Sequence, residues 1–111
     1  MNILELKMAS ENPKTIQKIM ESKDITITQV MLQKGQVIEE HVQDVTVYII
    51  VQQGEVVFMI TGEKVVLTES KILQLNPHER HAVTAETDCS FLIVKVGEPK
   101  NEKLHPPVTG K

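Results

Sequence analysis

The chain has no tryptophan, a single tyrosine (Tyr48) and two phenylalanines (Phe58 and Phe91). With so few rings, any ligand is gripped by aliphatic and methionine side chains more than by stacking. The lone cysteine, Cys89, excludes an internal disulfide. Its setting, Cys89-Ser90-Phe91-Leu92-Ile93-Val94, reads as a small buried hydrophobe and not as a reactive thiol. No apolar run approaches the ~20 residues of a membrane-spanning helix. The opening residues, MNILELKMASENPK, lack the long apolar core of a secretory signal. The expected location is therefore the cytoplasm. There is no basic block either: the net charge is −3 over 111 residues and is spread along the chain. Nucleic acid and anionic membranes are excluded as expected partners.

What is present is strand patterning. A length of 111 residues gives one domain with one core. Ile25 to Leu32 is rich in β-branched residues and alternates until Lys34-Gly35 breaks it. Val45 to Val51 follows, then Glu55 to Ile60, a Thr61-Gly62-Glu63 turn and Lys64 to Thr68, which is a hairpin pattern. Lys71 to Leu75, His81 to Ala85 and Ser90 to Val96 complete the series. Short strands separated by turn residues indicate an all-β sandwich or barrel. The segment Asn12-Pro13-Lys14-Thr15-Ile16-Gln17-Lys18-Ile19-Met20 fits either a helix start or a strand. In the Val45–Val51 run, Val45, Val47, Ile49 and Val51 share one face, while Tyr48 and Ile50 occupy the other. A strand apolar on both faces is central in its layer, and in a small chain a second subunit is the natural cover, so a homodimer is expected.

The chemistry-bearing residues are histidines. His41 and Gln43 are two apart on an extended segment, and Val47 has the same parity, so all three should point to one face. His81 opens a later strand that can close beside them. Two imidazoles and an amide oxygen can converge on a cation, but no carboxylate offsets its charge. A glutamate at position 47 would return that anionic donor. His41 and His81 can equally be structural histidines, and Gln43 a hydrogen-bonding pocket residue. His78 reads as a surface turn residue and His105 as part of a tail. Glu39 and Glu40, adjacent on an extended segment, point to opposite faces and read as a charged rim.

The spacing Gly35, five residues, His41-Val42-Gln43, three residues, Val47, six residues, Gly54 resembles the first motif of the cupins, the small β-barrel proteins. In that motif Gln43 stands at the second histidine and Val47 at the glutamate. Leu75-Asn76-Pro77-His78-Glu79-Arg80-His81 resembles the proline turn and histidine of their second motif. Here His78 replaces the usual glycine in the turn, Ser70 the leading glycine and Ala85 the closing asparagine. The resemblance implies an antiparallel double-stranded β-helix, or jelly-roll, barrel over residues 14–96. An N-terminal segment (1–13) precedes it and a polar, proline-bearing tail (97–111) follows. It also tips Lys14–Met20 towards a strand.

The expected function is a pocket for a small molecule, lined by His41, Gln43, Val47 and His81, without a strong catalytic site. A divalent metal (Zn, Fe, Mn or Ni) on His41, His81 and Gln43 is expected to be weak or absent. The alternatives are a metal-dependent dioxygenase or isomerase using the same three residues, and a sensing or interaction module.

Overall fold

Alternating β-branched and aliphatic residues run from Lys14 to Val96, and almost every such run becomes a strand. The computed structural model describes residues 1–97. In chain order the strands are β1 (Lys14–Glu21), β2 (Ile25–Leu32), β3 (Val37–His41), β4 (Thr46–Gln53), β5 (Val56–Ile60), β6 (Glu63–Leu67), β7 (Ile72–Leu75), β8 (His81–Ala85) and β9 (Cys89–Val96). All pair antiparallel. They form a five-stranded sheet, β1-β2-β9-β4-β7, and a four-stranded sheet, β3-β8-β5-β6. This is the expected jelly-roll arrangement. The expected tail lies, past Gly97, outside the described residues, and His105 with it.

The ambiguous Lys14–Met20 segment is a strand. It ladders along β2 from Lys14 opposite Leu32 to Glu21 opposite Thr26, with a bulge between Lys18 and Met20. The strand that alternation alone did not bring out is β3, because Glu39 and Glu40 break its hydrophobic pattern. As an edge of the smaller sheet it is mostly solvated, and only Ile38 and His41 turn partly inward.

The core lies between the sheets. β4 alternates as expected: Val47, Ile49 and Val51 are buried, and Tyr48 and Ile50 lie half-buried on the opposite face. Phe58 from the smaller sheet meets Phe91 from the larger edge-on, with ring centroids 6.0 Å apart, a favoured aromatic geometry. The N-terminal segment is strapped to the outer face of β2 by Gln29, whose side chain is buried. The carboxamide of Gln29 accepts from the Lys7 N–H at 2.8 Å and donates to the Lys7 carbonyl at 2.8 Å. It thus stands in for one rung of a strand.

The chain crosses between sheets at stacked corners. The Glu55 carbonyl accepts from Glu86 and Thr87, while the Glu55 N–H donates to Thr87 Oγ1 at 3.0 Å. Gly54, at φ +86°, lies against Asp88 and Cys89. A Cβ on Gly54 would collide with the Asp88 carbonyl oxygen and come within 2.9 Å of Cys89 Cα. Gly35 also has positive φ (+90°), but no atom lies within 4 Å of the Cβ it lacks.

The two glycines should therefore differ in cost. Gly35→Ala is expected to destabilise by about 1–2 kcal/mol through backbone conformation alone. Gly54→Ala should cost about 3 kcal/mol or more, because backbone must move as well. Urea denaturation midpoints of both variants check the ordering, and equal losses would contradict it.

Candidate functional site

The corners that stitch the sheets lie at one end of the barrel, and a pocket opens towards the other. Its smaller-sheet wall is set by β3 and β8, where His41 and His81 are direct cross-strand partners. Their ring centroids are 4.2 Å apart and the rings are inclined at 60°. Each imidazole is oriented in the same way. His41 Nδ1 donates to the Glu39 carbonyl at 2.9 Å, and His81 Nδ1 donates to the Glu79 carbonyl at 3.0 Å. A carbonyl only accepts, so Nδ1 carries the proton and Nε2 keeps the free lone pair in the neutral ring. No fully buried polar side-chain atom lacks a partner among the described residues. His81 is 4 % exposed, so its Nε2 opens on the cavity.

The turn before β8 holds His81 in place. Asn76-Pro77-His78-Glu79 closes through Glu79 N–H to the Asn76 carbonyl at 3.3 Å, and the Glu79 carboxylate accepts from the Asn76 N–H at 2.7 Å. His78 takes φ +70°, the left-handed value that position three of a type II turn demands and that favours glycine. Its side chain is exposed and lies outside the pocket lining. The His78 N–H donates to the Gln43 carbonyl at 2.7 Å, which latches this turn to the β3–β4 connection.

His41, Gln43, Val47 and His81 all line one cavity of about 240 Å³. The parity reading reached that grouping by a route the fold does not follow. β3 ends at His41, Gln43 sits in the connection, and Val47 belongs to β4 in the other sheet. Val47 thus faces the histidines from the opposite wall and is not on the same strand face. Most of the remaining lining is apolar, including Ile49, Phe58, Val83, Phe91 and Ile93. Among the described residues, no three His, Cys, Asp or Glu side chains are grouped to hold a metal ion.

Sequence reasoning passed over Lys95. It lines the same cavity, is half-buried, and is the direct cross-strand partner of Val47. No ion pair engages it among the described residues. The signal was available, because Phe91, Ile93 and Lys95 alternate along β9 and so share its inward face.

Burial holds the His81 pKa below the ordinary histidine value, with the neighbouring His41 adding to the effect and the Glu79 carbonyl opposing it. The unfolded chain therefore takes up a proton here before the folded protein does. Stability is full above pH ~6.5 and declines as pH falls through the window below it. In a metal chelator, the melting temperature of the wild type is expected to drop more steeply between about pH 7.5 and 5 than that of His81→Asn. Parallel slopes would show that His81 is not responsible.

The comparisons with known proteins agree on the architecture. The chain is similar in structure to an RmlC-like cupin family protein with a double-stranded β-helix fold from Methanocaldococcus jannaschii. The TM-score is 0.80 at 20% identity, covering 94% of this chain and 95% of that one. A cupin superfamily protein from Desulfitobacterium hafniense gives a TM-score of 0.76 at 20% identity, covering 83% and 84%. The cupin domain of an XRE family transcriptional regulator from Enterobacter cloacae gives 0.68 at 16% identity, covering 80% and 100%. No curated protein matches the chain. The family model described as the cupin domain matches residues 28–95, from the middle of β2 through the two motif turns to Lys95, and the chain belongs to that family.

Proposed function

We propose that this cupin domain binds a small organic molecule in the pocket and holds divalent metal weakly or not at all. The observation that carries this reading is the composition of the pocket wall. Two imidazoles, one amide side chain and the Thr28 hydroxyl share the cavity with aliphatic and aromatic groups and a lysine, with no carboxylate among the lining residues. Neutral nitrogen and amide oxygen offer no charge against Zn, Fe, Mn or Ni, and an amide is a poor donor to the softer divalent ions. A lysine on the same cavity adds repulsion. The residues do not fit a tightly held ion, so no reaction step is assigned through one. An apolar cavity with a few polar groups is the ordinary form of a small-molecule site. The alternative, a metal-dependent dioxygenase or isomerase, is favoured by the paired Nε2 lone pairs alone.

The outer face of the five-stranded sheet supports self-association. Ile27, Val94 and Tyr48 form one row across β2, β9 and β4. Leu92, Ile50 and Ile72 form the next across β9, β4 and β7. A second copy of this face is the proposed cover, giving a homodimer.

Metal titration by calorimetry tests the pocket reading. The wild type should bind Zn²⁺ weakly or undetectably. Val47→Glu alone should gain little, because the new carboxylate stands directly across the rung from Lys95 and pairs with it. Val47→Glu with Lys95→Met should raise affinity on the order of a hundredfold, as the carboxylate is then free to face the cation. Tight stoichiometric binding by the wild type would overturn the reading.

Light scattering at micromolar concentration tests the dimer. The wild type should run at twice the chain mass, and Ile50→Glu, which puts a charge in the middle of the apolar face, should run as a monomer. A monomeric wild type would contradict the proposal.

A further inference from the structure

The placement of Lys95 carries the pocket reading further. The chain is acidic overall, yet among the described residues the one formal charge lining this cavity is cationic. Lys95 has no ion-pair partner there. It ends an inward row that begins with Phe91 and Ile93, both apolar. Its rung partner on β4, Val47, offers it nothing polar. On the opposite wall, His41 and His81 spend their Nδ1 protons on backbone carbonyls, so what they present is acceptor lone pairs. A second negative group would be repelled there, whereas a hydroxyl would be accepted.

We infer that the pocket takes a small aliphatic hydroxy-monocarboxylate, with its carboxylate on the Lys95 ammonium and its hydroxyl donated to the histidine pair. This inference rests on the pocket reading above and names the ligand class. One cation matches one negative charge, so dianions such as phosphate monoesters are disfavoured. The apolar middle of the wall, Ile49, Phe58 and Ile93, suits a short hydrocarbon body. At about 240 Å³ the cavity is smaller than the ~300–1,000 Å³ of drug-sized sites, so the ligand is a small one.

The test is a panel of straight-chain ω-hydroxycarboxylates, from hydroxybutyrate to hydroxycaproate, set against their primary amides. Binding is followed by two-dimensional amide and methyl NMR of the full chain, with a chelator present. The wild type should bind the acids at least about tenfold more tightly than the amides, the worth of one charge-assisted hydrogen bond. Shifts should concentrate on Ile49, Val83, Ile93 and the two histidines. Lys95→Met should abolish the acid preference, and Lys95→Arg should keep it. If acids and amides bind the wild type equally, or if the preference survives in Lys95→Met, the role of Lys95 is wrong and the pocket reading stands. If no member of the panel shifts the pocket signals, the ligand class is wrong and the inference falls, while the pocket reading is judged by the metal titration.

Discussion

The site is positioned from the far end of the barrel, at the corner where Gly54 lies against the backbone of Asp88 and Cys89. Two crossovers stack there, one leading from β4 to β5 and the other from β8 to β9. Fixing them together sets the registers of both pairs. β5 and β8 start from Val56 opposite Ala85 and arrive at Ile60 opposite His81. β4 and β9 start from Gln53 opposite Ser90, pass a bulge before Val51 opposite Phe91, and arrive at Val47 opposite Lys95. Strand side chains alternate, so a slip of one residue at the corner would turn His81 or Lys95 out of the cavity. The left-handed Gly54, with backbone packed where its side chain would be, holds the two crossovers against each other.

Most of the fold was legible because its strands are amphipathic or apolar on both faces. Ile25–Leu32, His81–Ala85 and the Thr61-Gly62 hairpin emerge nearly residue for residue. The turn at Thr61-Gly62 carries positive φ at both residues, the mirror-image type that a two-residue hairpin requires. β3 was less legible. An edge strand needs few apolar residues, and two consecutive glutamates erase what alternation it has. The Lys14–Met20 segment could not be settled locally, because its helical and strand spacings are equally good. The ladder to β2 decides it, and that is tertiary information.

The site was legible in membership but not in construction. Parity grouped His41, Gln43 and Val47 as though one strand carried them. In fact the chain leaves one sheet after His41 and enters the other before Val47. The grouping survives because the connection returns Val47 to the facing wall. Lys95 went unseen because the motif ends before it and a lysine near a strand terminus usually reads as solvated. Only the rung shared with Val47 shows that the place left by a carboxylate has a cation beside it. The left-handed turn position at His78 shows why a glycine is expected there. Histidine tolerates that region better than most residues with a side chain.

The anchors of the two imidazoles belong to the main chain. Each ring is held by the carbonyl two residues before it, at Glu39 and at Glu79. No substitution removes a carbonyl, so the orientation of the pair is inherited with the backbone and survives drift in the side chains around it. Selection can then rewrite the facing wall, at Val47 and Lys95, one position at a time while the histidines stay aimed. Related barrels with unrelated chemistries can be close neighbours in mutational distance, since what separates them is what the rings look at and not how they are held.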